Sequence, residues 1–221
     1  QGKINDSDLA NISIGNLGLA YSNIGQAQKS IQCTEKVLSY SRKTNNRMHE
    51  SAALGNLGRD YYFLGNTHKA IEFYEQALVI AHEIKDEHGV GVWLSNLGNA
   101  YSNSGDLPKA IEYYEQALAI AREIGDRHGE GSRLGNLANR YADLGNAHKA
   151  NEYYEQALAI AREIGDRPGE GSQLCNMGNR YAELGNASEA IKYHEKALII
   201  FRETGDQNAV SVALENLGHE F

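Results

Sequence analysis

The chain has 221 residues, with 21 Lys+Arg against 29 Asp+Glu and a formal net charge of −8. That acidic balance excludes a protein that grips a nucleic-acid backbone through a concentrated basic surface. The longest unbroken apolar runs, Ala77 to Ala81 and Ala197 to Phe201 among them, are five residues, far short of the roughly twenty that a membrane-spanning helix needs.

The elements recur at a fixed spacing. Ile111 to Ser132 and Asn151 to Ser172 agree at 20 of 22 positions, 40 residues apart. Residues 1–13 are read as an N-terminal flank or the start of a first helix. Five 40-residue repeats follow at 14–53, 54–93, 94–133, 134–173 and 174–213, and 214–221 is the truncated first helix of a sixth. Within the third repeat, Leu94, Leu97, Gly98 and Tyr101 form the stripe of a first helix. After Gly105, the residues Ala110, Tyr114, Ala117, Leu118, Ala121 and Ile124 form the stripe of a second. Gly25, Gly65, Gly105, Gly145 and Gly185 stand where first helices end, as left-handed C-terminal residues. Asn66, Asp106, Asn146 and Asn186 follow them as N-caps, and Gly125-Asp126, Gly165-Asp166 and Gly205-Asp206 repeat the device between repeats. Pro108 and Pro168 fall in first turns, where no N–H is needed. Small residues at Gly18, Gly58, Gly98, Ala138, Gly178 and Gly218 let paired helices approach closely. A lone helix pair cannot bury its stripe, so the pairs are expected to stack as an all-α solenoid of antiparallel helix pairs.

The spacing Leu94-x2-Leu97-Gly98-x2-Tyr101-x8-Ala110-x3-Tyr114-x2-Ala117 resembles the tetratricopeptide repeat signature, with Leu in place of its first Trp. The 40-residue period resembles the longer subclass of the Pins/Leu-Gly-Asn adaptors and, more loosely, of kinesin light chains. This resemblance implies a right-handed superhelix with first helices lining a concave groove and second helices on the convex side. It also implies a non-catalytic scaffold that binds an extended peptide or a helix in that groove. The alternative is a sensor or regulatory arm cut from a larger signalling ATPase or protease.

No catalytic constellation stands out, and the chain is expected not to be an enzyme and to need no metal or cofactor. None of the eight histidines forms H-E-x-x-H. The exposed-looking carboxylates Glu112, Glu115, Glu152 and Glu155 lie on second helices and read as a solvated face. The binding candidates are asparagines of the first helices. Asn16, Asn56, Asn96, Asn136, Asn176 and Asn216 share one position, and Leu19, Arg59, Asn99, Asn139, Asn179 and His219 lie three residues on, on the same face. Asn costs roughly half a kcal/mol against Ala inside a helix, but its amide both donates and accepts, which suits a peptide backbone. Tetratricopeptide domains that clamp C-terminal carboxylates place a Lys just before the first Asn. Gly15, Gly55, Ser95, Gly135, Cys175 and Glu215 occupy that position here, so no such clamp is expected. Arg59, with Tyr62, Phe63 and Trp93 nearby, marks the second repeat as the source of specificity. The partner is expected to be a protein or peptide, not a nucleic acid or a membrane. Self-association through the truncated C-terminal end, where Leu214, Leu217 and Phe221 would cover the fifth repeat, is a further expectation. The absence of a signal-peptide pattern, and two cysteines, Cys33 and Cys175, point to a reducing, cytoplasmic setting.

Overall fold

The computed structural model describes residues 6–218, so His219 and Phe221 lie outside the described residues. Every described element is helical. Two compact bodies divide the chain, Gln1–Ile120 and Ala121–Phe221. The first holds α1 (Asp6–Asn23), α2 (Ala27–Lys43), α3 (Arg47–Phe63), α4 (Thr67–Glu83), α5 (Glu87–Asn103) and all but the last turn of α6 (Leu107–Glu123). The second holds α7 (Arg127–Asp143), α8 (Ala147–Glu163), α9 (Arg167–Glu183), α10 (Ala187–Thr204) and α11 (Gln207–Gly218). Consecutive helices pack as pairs, and in each body first helices also touch one another, α3 with α5 and α7 with α9.

The helix ends follow the local chemistry. Asn66, Asn146 and Asn186 each accept a hydrogen bond from the backbone N–H three residues on, at 3.2–3.3 Å. Asp86, Asp106, Asp126, Asp166 and Asp206 do the same at 2.8–3.2 Å. Pro168 lies in the first turn of α9, as expected. Gly65 and Gly185 follow their helices at φ 74° and 73°, a region that only Gly enters without strain. Two turns break the pattern, with Asn45 at φ 52° and Lys85 at φ 57°.

The leucines of the first-helix stripe form the core. Leu54, Leu57 and Leu97 in the first body and Leu134, Leu137 and Leu174 in the second are at most 2% exposed. Ile124, expected at the end of a buried stripe, is instead 40% exposed, because α6 stops at Glu123 and Ile124 lies in the turn. Leu17 and Leu214, which match buried positions elsewhere, are 46% and 47% exposed, since no described helix packs over their outer sides. Leu217 does join the core of the second body. The small residues work as expected. A Cβ on Gly98 would stand 2.7 Å from the Tyr114 ring, one on Gly58 equally close to Tyr74, and one on Gly178 2.4 Å from His194. At Gly218 a Cβ would meet nothing within 4 Å.

Stacked rings also tie first helices to second. Tyr61 stacks on Phe73 at 5.4 Å, Tyr101 on Tyr113 at 5.3 Å and Tyr141 on Tyr153 at 5.5 Å. Lys69, Lys109 and Lys149 place their ammonium groups 4.5–4.8 Å from the Tyr61, Tyr101 and Tyr141 ring centres.

An ion network recurs at the joints between pairs. Glu50 of α3 is buried and receives Arg42 of α2 at 2.9 Å and Arg47 at 2.7 Å, while Arg47 also reaches Glu83 at the end of α4. Arg122, Glu130, Arg127 and Glu163 repeat this arrangement, as do Arg162, Glu170, Arg167 and Glu203. Burial by itself would push the Glu50, Glu130 and Glu170 carboxyls up. The hydrogen bonds from their two arginines outweigh it and hold all three below the usual carboxylate value. The joint between α4 and α5 has His82, Glu87 and Val90 at these positions. There the buried Val90 packs with Ala81, Leu94 and Ala117 instead.

Candidate functional site

The asparagines of the first series ride on the outer side of the first-helix leucines. Asn16 is exposed, while Asn56, Asn96, Asn136, Asn176 and Asn216 are half-buried. In the first body Asn16 and Asn56 line the same cavity, of about 250 Å³, between α1, α2 and α3. Ile12, Leu19, Val37 and Ala53 contribute its apolar walls, and Asn11, Thr34 and His49 its remaining polar groups. In the second body Asn179, His194 and Asn216 line an open depression of about 520 Å³.

The second series is bonded back into the fold. Tyr114 donates its hydroxyl to Asn99 Oδ1 at 2.6 Å, and Tyr154 donates to Asn139 Oδ1 at 2.5 Å. His194 Nε2 lies 3.0 Å from Asn179 Oδ1, which also accepts from Asn216 Nδ2 at 2.9 Å. The carbonyl oxygens of these three asparagines are thus engaged by their own repeat's second helix. What such a side chain presents to a ligand is its amide N–H2. Burial pushes the Tyr154 hydroxyl above its ordinary value, with the nearby Arg180 charge pulling the other way.

Arg59 breaks the series. It takes the place of an asparagine, close enough to the buried Tyr74 for its charge to oppose the rise that burial imposes on that hydroxyl. Its Nε and Nη2 are shielded from water without a hydrogen-bond partner. Asp60 beside it is fully buried and accepts the Ser22 hydroxyl at 2.7 Å through one oxygen, while the other has no partner. Sequence reasoning missed this carboxylate, because an Asp next to an Arg on a helix reads as surface charge. Arg140 and Arg180 also find partners. Arg140 meets Asp143 at 3.1 Å, and Arg180 crosses from α9 to the same Asp143 at 2.6 Å and pairs with Glu183.

At Gly55 and Gly135 the residue before the first-series asparagine lies against the neighbouring first helix. A Cβ on Gly55 would stand 2.1 Å from the Trp93 ring, and one on Gly135 would stand 2.8 Å from the Gln173 amide. A long lysine has no room at Gly55 or Gly135, whereas Gly15 meets only Val37 at 3.7 Å and the exposed Glu215 shows that the last of these positions takes a long side chain. Glu112, Glu115, Glu152 and Glu155 are all exposed on α6 and α8. Among the described residues, no group of three or more His, Cys, Asp or Glu is placed to hold a metal ion. No described helix is long and apolar enough to cross a membrane.

Tetratricopeptide repeat family models match residues 8–81, 90–163 and 172–204. The chain belongs to the tetratricopeptide repeat family, whose fold is generally a non-catalytic protein-interaction scaffold. No curated protein matches the sequence. Among solved structures it is similar to BtubC from P. vanneervenii, at 24% identity over 88% of this chain and 82% of that one, with a TM-score of 0.76. It is also similar to the nearly identical TPR-like repeats of a Podosopora anserina protein described as a kinesin light chain. That match has 25% identity over 87% of this chain and 95% of that one, with a TM-score of 0.72. A third similar structure is a signal transduction ATPase with a tetratricopeptide repeat sensor from Pyrococcus horikoshii. There the identity is 20%, over 96% of this chain and 32% of that one, with a TM-score of 0.82.

Proposed function

We propose that this chain is a non-catalytic interaction domain that holds an extended peptide or a helix along the first helices of each body, with Asn16, Asn56 and Asn96 in the first and Asn136 and Asn176 in the second reading ligand main chain. Asn99 in the first body and Asn139 and Asn179 in the second contribute their amide donors, while Arg59 extends the face of the first body and Asn216 that of the second. The observation that carries the reading is the cavity shared by Asn16 and Asn56. Two amides of successive first helices flank a mainly apolar recess, the combination by which a groove takes a side chain and grips the backbone beside it. The partner is therefore a protein or peptide, and the two free cysteines, Cys33 and Cys175, support a reducing, cytoplasmic setting for the encounter.

Each amide contributes about 0.5–1.5 kcal/mol net, so Asn56→Ala or Asn96→Ala should weaken a bound peptide about two- to tenfold. The test is titration of a synthetic peptide, selected on this chain from a random library, against these variants and against Glu112→Ala and Glu152→Ala. The asparagine variants should lose affinity while keeping their melting temperature, and the glutamate variants should match the native chain. Equal losses from both faces would overturn the reading.

A further inference from the structure

The first body contains three arginines, and two of them are occupied. Arg42 and Arg47 are held by Glu50 and Glu83. Arg59 differs, with its Nε and Nη2 shielded from water and bonded to nothing. Those two N–H groups lie along one edge of the planar guanidinium, the fork that matches both oxygens of a carboxylate. The carboxylate nearest in sequence does not fill it, because Asp60 turns to Ser22 of α1. A half-buried guanidinium with an unmet edge is stabilised by any acceptor that reaches it, and a carboxylate supplies two oxygens and a charge together.

Arg59 lies one helical turn beyond the cavity wall along α3. Asn56, in the cavity wall, precedes it by three residues on the same helix face, about 4.5 Å along the axis. The cavity's volume of about 250 Å³ exceeds the roughly 150 Å³ that accommodates a benzene ring. It therefore has room for a large aliphatic or aromatic side chain. An extended chain advances about 3.3–3.6 Å per residue, so a carboxylate at Arg59 belongs one or two residues from the side chain in the cavity.

Resting on the reading that this face holds a peptide, we infer that the first body selects peptides carrying an Asp or Glu side chain within two residues of a large apolar one. The apolar side chain fills the cavity between α1 and α3. The carboxylate closes on the Nε/Nη2 edge of Arg59, which turns outward to meet it, a rotamer change of the kind common at interfaces. Asn16 and Asn56 hold the backbone between.

The probe is a phage library of random dodecapeptides fused at their C-termini, so that displayed carboxylates come from side chains. It is panned on the whole chain, and the binders are then remade with amidated ends for fluorescence anisotropy. The enriched sequences should pair an acidic with a large apolar residue at the stated spacing. Changing the acidic residue to its amide should weaken binding to the native chain about five- to twentyfold. On an Arg59→Gln variant of unchanged melting temperature, the acidic and amide peptides should bind within about twofold of each other. An acid dependence that survives Arg59→Gln, or binders with no acid preference, would overturn the inference. If Asn16→Ala and Asn56→Ala still weakened those binders, the groove reading would stand alone. Binders indifferent to every first-helix variant, or a library with no binder, would overturn both.

Discussion

Gly55 and Gly135 occupy the same position in repeats 80 residues apart, yet adding one methyl group should affect them oppositely. At Gly55 the new Cβ would lie 2.1 Å from Trp93 Cη2 and 2.2 Å from its Cζ3. Carbon atoms rest at about 3.5–4.0 Å, so the ring must retreat by about 1.5 Å. Trp93 cannot retreat freely. Its Nε1 donates to Ser51 Oγ at 3.0 Å, Ser51 in turn donates to the Ala77 carbonyl at 3.0 Å, and the ring packs on the core of the first body. Overpacking of this kind costs about 1–3 kcal/mol, and a strained indole hydrogen bond adds about 1 kcal/mol. The helix gains about 1 kcal/mol from Gly→Ala, which leaves Gly55→Ala destabilised by about 1–3 kcal/mol. At Gly135 the obstacle is the end of the Gln173 side chain, 2.8 Å away, and a flexible amide swings aside. Its Oε1 is buried without a partner, so displacement toward water relieves an unmet acceptor. Gly135→Ala should therefore be neutral or stabilised by up to about 1 kcal/mol. Urea unfolding of both variants checks the difference, and Trp93, the sole tryptophan, gives a local probe. Its emission should shift red in Gly55→Ala and stay unchanged in Gly135→Ala. Equal midpoint shifts, or native emission and stability in Gly55→Ala, would refute the packing argument.

Gly98→Leu should cost at least 1–3 kcal/mol by forcing Tyr114 away from α5. Gly98→Ala should cost less, since Ala138 already fills the matching position in the core with Tyr154; melting curves of both variants test this. Lys85→Gly should stabilise the chain by about 1 kcal/mol in urea unfolding, because it removes a side chain from a backbone at φ 57°. The carboxyls of Glu50, Glu130 and Glu170 sit below their ordinary 4.5 in the folded chain. Their contribution is therefore full above about pH 4.5 and is lost as pH falls below it. A variant with all three changed to Gln should be less stable at pH 7 and show a shallower loss on acidification; an unchanged pH profile would contradict the paired-carboxylate account.

The repeat, the helix boundaries and the core leucines were legible in the sequence because each depends on neighbours a few residues away. An N-cap such as Asn66 bonds the N–H of Lys69, a left-handed turn needs Gly65, and a buried stripe shows itself by its period. The ion network could also have been read, since Arg122, Arg127, Glu130 and Glu163 recur 40 residues on as Arg162, Arg167, Glu170 and Glu203. Periodicity alone did not show that these charges meet, because they belong to three different helices. The candidate site was legible in position and not in bonding. Asn96 and Asn99 look alike along the sequence, and only the approach of Tyr114 commits the oxygen of one. Gly55 and Gly135 are the same letter at the same place, and only the partner across the helix contact, a rigid indole or a flexible amide, makes them different. Arg59 stands out in the sequence because it replaces an asparagine of the series; only the packing of α3 decides that its edge is shielded and unpaired. Sequence by itself determined which helices form and which faces are apolar, since backbone hydrogen bonding and side-chain period are local. Tertiary structure alone decided which polar groups are satisfied, since that depends on distances between helices that no local rule sets.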